Sequence, residues 1–255
     1  MPMYPKITWL SIAFVLASLY GCNSPSQTSR VATHELMLNA VVIRHDDQLL
    51  VQATVNPKRN SQHNLRLQEQ ERIDIQLGDT VLPLQAQWNS VYSVELPYQD
   101  APLMITFYRQ AGRNELIPIQ STLYLDSPEF LSPQPRSLFQ TQSHTSIPLH
   151  WHGQPEQRGE YQLFCTDRTQ GLTQVSGSFA TANRQQVDIP LHDLLTQHEA
   201  LDKRALCEGI FTLRGISTRA DIAPELGGGS FLFESNVSRP VVIRHNRIMN
   251  PTESS

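Results

Sequence analysis

The chain has no surplus of positive charge: 20 Lys and Arg stand against 24 Asp and Glu, a formal net charge of −4. Without basic excess to neutralise phosphates, a nucleic-acid partner has no electrostatic footing. Cysteine is scarce, three in 255 residues. Cys165 and Cys207 form no CxxC pair, and neither has a cation beside it to activate a thiolate. The GxSxG, HExxH and SxxK signatures are all missing, so the common hydrolase routes are not written here and no catalytic residue is assigned. Gly227-Gly-Gly-Ser230 lacks the Lys-Ser/Thr and helix of a phosphate loop, since Phe-Leu-Phe follows; it reads as a loop or bulge ahead of a strand. No small-molecule cofactor is implied. No repeat recurs at fixed period, which argues against a solenoid.

A long apolar run is missing too. Ile7 to Leu19 is uncharged but only thirteen residues long, about 20 Å as helix against a hydrocarbon core of about 30 Å. Lys6 precedes it and small residues follow, the order of a cleavable secretory signal over 1–21. Leu19-Tyr20-Gly21-Cys22 resembles the lipobox of bacterial lipoproteins. That resemblance implies cleavage between Gly21 and Cys22, and acylation of Cys22 with diacylglycerol and a further chain of the palmitate type. Tyr20 departs from the commoner Ala or Ser. The rival reading is an unmodified secretory signal with an incidental Cys. Asn23, where Asp would signal inner-membrane retention by family analogy, favours the outer membrane with the protein facing the periplasm. One acyl chain holds only reversibly, whereas three would make release negligible.

Lys6 is the only charged side chain ahead of Cys22, so removal of 1–21 takes the formal charge from −4 to −5. If Cys22 is lipidated, Cys165 and Cys207 remain as an even pair in a compartment where disulfides persist. Charged residues are 17% and apolar ones 39% of the chain, the composition of a folded protein of two domains of about 100 residues each. Residues 22–33 read as a polar, lipidated tether and 246–255 as a fraying tail.

Between them the hydrophobic period is two. Arg72–Leu77 and Thr80–Gln85 flank Gly78-Asp79. A two-residue loop sets Leu77 opposite Thr80, then Ile75 opposite Leu82 and Ile73 opposite Leu84 on one face. Pro83 removes a ladder donor and predicts an edge position. Further alternating runs at Gln48–Val55, Tyr92–Leu96, Leu103–Tyr108 and Glu115–Leu125 complete a β-sandwich at 34–126. Residues 127–137 are Pro-rich and read as a stiff connector. A second sandwich at 138–245 takes strands at Ser146–His152, Glu160–Thr166, Gln174–Thr181, Gln185–Pro190, Gly209–Arg214, Ser230–Glu234 and Pro240–His245. Leu191 to Leu206 does not alternate, so one short helix is predicted from near His192 or Asp193. The fold class is all-β, two sandwiches in tandem.

The Ile73–Leu84 hairpin before Tyr92-Ser-Val-Glu-Leu-Pro97, Asp126-Ser-Pro128, and Cys207-Glu-Gly-Ile-Phe-Thr-Leu-Arg214 before the triple glycine resemble bacterial envelope lipoproteins with two immunoglobulin-like domains and no assigned role. Trp151 precedes Cys165 rather than lying between the two cysteines, so the likeness to immunoglobulins is one of architecture.

Three places could hold chemistry. His150 and His152 flank Trp151 and share a strand face, with His144 or His192 as a third metal ligand. Alternation explains them fully if Ile147, Leu149 and Trp151 face the core, and no metal site is assigned. Asp46-Asp47 and Glu69 to Glu71 could hold a cation but suit turns and edges. The expected function is therefore a non-catalytic lipoprotein, held to the membrane through Cys22. It would present a binding or structural module to an envelope protein, peptidoglycan or other polysaccharide. The alternatives are an envelope-polymer hydrolase and a metal-binding periplasmic protein.

Overall fold

The structure, a computed structural model, describes residues 27–111, 115–167, 171–196 and 206–244. The expected signal, Cys22 and the tail from 246 lie outside them. The first half supplies β1 (Leu36–His45), β2 (Gln48–Pro57), β3 (Arg72–Leu77), β4 (Thr80–Pro83), β5 (Gln85–Ala86), β6 (Tyr92–Pro97), β7 (Leu103–Gln110) and β8 (Leu116–Leu123). Then follow β9 (Glu129–Ser132), β10 (Ser137–Gln140), β11 (Ser146–His152), β12 (Arg158–Asp167), β13 (Gly171–Ala180), β14 (Gln186–Pro190), helix α1 (Leu191–Thr196), β15 (Leu206–Ser217), β16 (Ala220–Asp221) and β17 (Gly228–Arg244). The protein is all-β apart from α1 and three short 3-10 turns among the described residues.

One nine-stranded sheet runs β13-β12-β15-β17-β1-β2-β6-β5, with β10 also on β17. A five-stranded sheet, β16-β8-β7-β3-β4, covers its β1-β2-β6 part, and a three-stranded sheet, β14-β11-β9, covers its β13-β12-β15 part. Two cores result. The first is built around Leu38, Val51, Ile75, Ile105 and Phe107, the second around Leu149, Trp151, Leu163 and Phe211.

Several local expectations hold. Leu77 pairs with Thr80 and Ile75 with Leu82, the Leu84 amide donates to the Ile73 carbonyl at 2.8 Å, and β4 with Pro83 is an edge strand. The Gly78 turn residue has φ of +56°, the left-handed region that glycine enters freely. Helix α1 starts at Leu191, one residue before the expected site.

Long-range placement differs from the expectation. Ser230–Glu234 and the described part of the second stretch, Pro240 to Arg244, are not separate strands but parts of β17, 17 residues long, about 55 Å at strand rise. Its first half pairs in parallel with β1. Ala223, Leu226, Phe231 and Phe233 thus belong to the first core, although the chain order placed them in the unit 138–245. Val237, Val241 and Ile243, farther along the same strand, enter the second. The triple glycine serves this pairing: a Cβ on Gly227 would stand 2.5 Å from the His34 carbonyl oxygen, and one on Gly229 2.1 Å from that of Leu38.

Residues 127–137 are more than a connector. They carry β9, which pairs with β11 and buries Phe130 in the second core. Arg44 at the end of β1 holds this segment to the first half. It is 7% exposed, lies 3.3 Å from Glu129, and stacks 3.5 Å over the Tyr98 ring.

The predicted tether through residue 33 is also corrected. From Gln27 on, the chain is docked on the first sandwich. Gln27 bridges in parallel to Arg66, and the Thr28 amide donates to the Arg66 carbonyl at 3.1 Å. The Thr28 hydroxyl, fully buried, donates to Glu71, which also accepts the Gln68 amide at 3.0 Å. Arg109 donates to the carbonyls of Val31 and Thr28. Burial pushes its guanidinium below the ordinary value while Glu71 opposes that shift. Polar residues here have buried partners, which composition does not disclose. Glu71→Ala would leave the Gln68 amide without its acceptor and the Thr28 hydroxyl with only a long 3.4 Å bond to the Arg66 carbonyl, so a loss of about 2 kcal/mol is expected. Hydrogen exchange should quicken at the Val31 amide, which bonds to the Thr28 carbonyl at 3.0 Å. Unchanged exchange there would show that Glu71 does not hold the segment.

Candidate functional site

The residues singled out from sequence are dispersed. Gly21 and Cys22 lie outside the described residues. Cys165 and Cys207 face each other across β12 and β15 and are bridged, with both side chains fully buried. The bridge joins neighbouring strands of one sheet; an immunoglobulin-type bridge would join two sheets.

On β11, Ile147, Leu149 and Trp151 are buried while His150 and His152 face solvent, as strand alternation requires. His144 lies beside Ser143, its Nδ1 2.9 Å from the hydroxyl, with its ring edge-on to Phe139. His192 is exposed at the start of α1. Among the described residues no three His, Cys, Asp or Glu side chains gather where they could hold a metal. Asp46 occupies the β1–β2 turn with φ of 51°, and its carboxylate accepts the Ser238 amide at 2.9 Å. That is a structural bond between turn and spine. Glu69 is exposed and Glu71 belongs to the amino-terminal latch.

A trough of about 560 Å³ opens where the halves meet, bringing together Asp100, Asp126, His152, Gln154 and Arg219. They come from four separate stretches of the chain, which is why no motif marked them. Asp126 and Arg219 already pair at 3.8 Å, both more than half exposed. An ion pair so exposed contributes little.

The feature with the clearest binding chemistry is the free edge of the large sheet. β13 pairs only with β12 among the described residues. Its sequence, GLTQVSGSFA, has ten residues without a charge or a proline. Among the described residues every other sheet margin is short or carries a charge or proline, β10 having only four residues. β5 and β16 have two residues each, β4 ends in Pro83, β9 has four residues between Pro128 and Pro133, and β14 carries Asp188 and Pro190. Short edges, charges and prolines are how folded proteins prevent strand addition.

Packing keeps β13 regular. Val175 and Phe179 point into the second core, whereas Leu172, Gln174, Ser176 and Ser178 point out. The Phe179 ring covers Gly159, and Tyr161 covers Gly177, so that a Cβ on either glycine would meet ring atoms 2.2–2.4 Å away. Aromatic cover of cross-strand glycines fixes register and keeps the edge extended. Alternation predicted this strand but not its exposed margin, because edge position depends on the partners of the whole sheet.

No helix among the described residues is long and apolar enough to cross a membrane. No protein-family model matches the chain, and no curated protein proves similar in sequence.

Proposed function

We propose that this chain is a non-catalytic bacterial envelope lipoprotein, anchored through acylated Cys22 and facing the periplasm from the outer membrane. Its tandem sandwiches would hold β13 out as an edge onto which an extended segment of an envelope protein adds as a further strand. The observation that carries the reading is the ten-residue, charge-free, proline-free margin of β13. Main-chain hydrogen bonds would supply the affinity in such β-augmentation, and alternate side chains the selectivity.

The test is a photocrosslinking residue placed at Ser176 in intact cells, with a control at exposed Glu95 on β6. Ser176 is expected to give a discrete adduct that Glu95 does not. Ser176→Lys with Ser178→Lys, on the outward face, should reduce that adduct at least about tenfold while leaving the melting midpoint within about 2 °C. An adduct equally strong from Glu95, or indifferent to the two lysines, would sink the edge as the binding site.

A further inference from the structure

The latch at Gln27 and Thr28 limits how far the fold can stand from a lipid on Cys22. Five residue steps separate Cys22 from Gln27, and a fully extended chain covers at most about 18 Å in that number. Whatever surface surrounds the latch is therefore held near the bilayer.

That surface is one end of the first sandwich. The Lys58 amide donates to the Glu35 carbonyl at 2.7 Å and that of Leu65 to Val55 at 2.7 Å, placing the 58–70 segment beside the start of β1. The Leu67 amide donates to the Tyr92 hydroxyl at 2.9 Å, and the Asn64 side chain to the Asn89 carbonyl at 2.9 Å, bringing the turn before β6 to the same end. The second sandwich lies at the opposite end, where Arg44 meets Glu129 and the Asp46 amide meets Asn236.

Trp88 stands on that turn, 82% exposed. It is followed by two residues in the left-handed region, Asn89 at φ 62° and Ser90 at φ 56°, a conformation that costs free energy for a non-glycine residue. The turn is thus built and pinned rather than loose, and it turns a large indole outward. Ile117 belongs to the inward-facing row of β8, yet at this end of the sandwich it is 47% exposed. Around them, exposed Arg30, Lys58, Arg59 and Arg66 are mixed with Glu35 and Glu69. Tryptophan among polar groups of both signs suits the headgroup layer of a membrane, where its ring is half apolar and half wet.

We propose that this end of the first sandwich is a bilayer-contacting surface, with Trp88 entering the headgroup layer of the membrane that carries the Cys22 lipid. The proposal rests on the lipid-anchor reading, and it places β13 at the far end, away from the bilayer.

The test uses the full chain purified from membranes and reconstituted in phosphatidylcholine vesicles containing lipid brominated near the headgroup. Removal of 1–21 leaves Trp88 and Trp151 as the only tryptophans, and Trp151 is 1% exposed. The amino-terminal peptide is weighed on the same sample. With Cys22 acylated, the bromolipid is expected to quench the Trp88 share of the emission, and Trp88→Phe should abolish the quenching. Acylated Cys22 with Trp88 unquenched and emitting as in water would overturn the docking while the anchor stands; Trp88 would then be open to a protein partner. Quenching that persists in Trp88→Phe would overturn it as well. An unmodified Cys22 would overturn both.

Discussion

Replacing Cys165 and Cys207 together by alanine is expected to remove about 4 kcal/mol of folding stability, from the loop-closure entropy that the bridge takes out of the unfolded chain. The two are 42 residues apart, and that interval includes β13, β14 and α1. The bridge therefore limits the unfolded freedom of the segment between the cysteines, including the edge strand that carries the proposed binding. Since domains have only about 5–15 kcal/mol of net stability, the loss is a large fraction of it. The check is a denaturant titration of wild type and double variant, with and without reductant. A midpoint that does not move would show that the folded chain is not held by this bridge.

Phe233→Ala should cost about 3–5 kcal/mol, the usual range for emptying a buried aromatic site. Phe233 is fully buried in the first core. The sharper expectation concerns how far the damage spreads. β17 delivers Phe231 and Phe233 to the first core and Val237, Val241 and Ile243 to the second, and β15 pairs along it from Phe233 to Arg244. A strand cannot lose its place in one sandwich without disturbing its ladder in the other. Trp151, buried in the second core on a strand of a different sheet, should therefore report the same shift in midpoint as far-UV circular dichroism. Reading it in a Trp88→Phe background isolates its emission. If Trp151 keeps the wild-type midpoint while the dichroism shifts, the halves unfold independently and the shared spine does not couple them. Val81→Ala, at a side chain 58% exposed, is the control and should stay within about 0.5 kcal/mol.

The legible parts of the fold share a feature: their cause lies within a few residues. The 72–84 hairpin was readable because a glycine turn and a two-residue period agree on one register. His150 and His152 were readable as solvent-facing because Trp151 between them needed the core. The connector and tether were misread for the opposite reason. Phe130 and Thr28 look like members of polar or proline-rich stretches until a distant Trp151 or Glu71 gives them a partner. The candidate edge divides the same way. β13 was visible as a strand, but its margin is free only because β12 occupies its other side and no described strand follows.

Local sequence by itself determined the all-β class, the hairpin register, the short helix near Leu191, the cysteine pairing and the absence of a common catalytic signature. Each follows from period, turn chemistry or a short count. Tertiary structure alone decided that one strand serves two cores, that the amino-terminal segment docks through Glu71 and Arg109, and that Trp88 stands at the end where the chain enters. Parallel pairing of β1 with β17 joins Asn39 to Ser230, with no turn between them to announce it. Alternation says that a strand exists and which face it buries, while the choice of neighbour is made by the closure of the whole sheet.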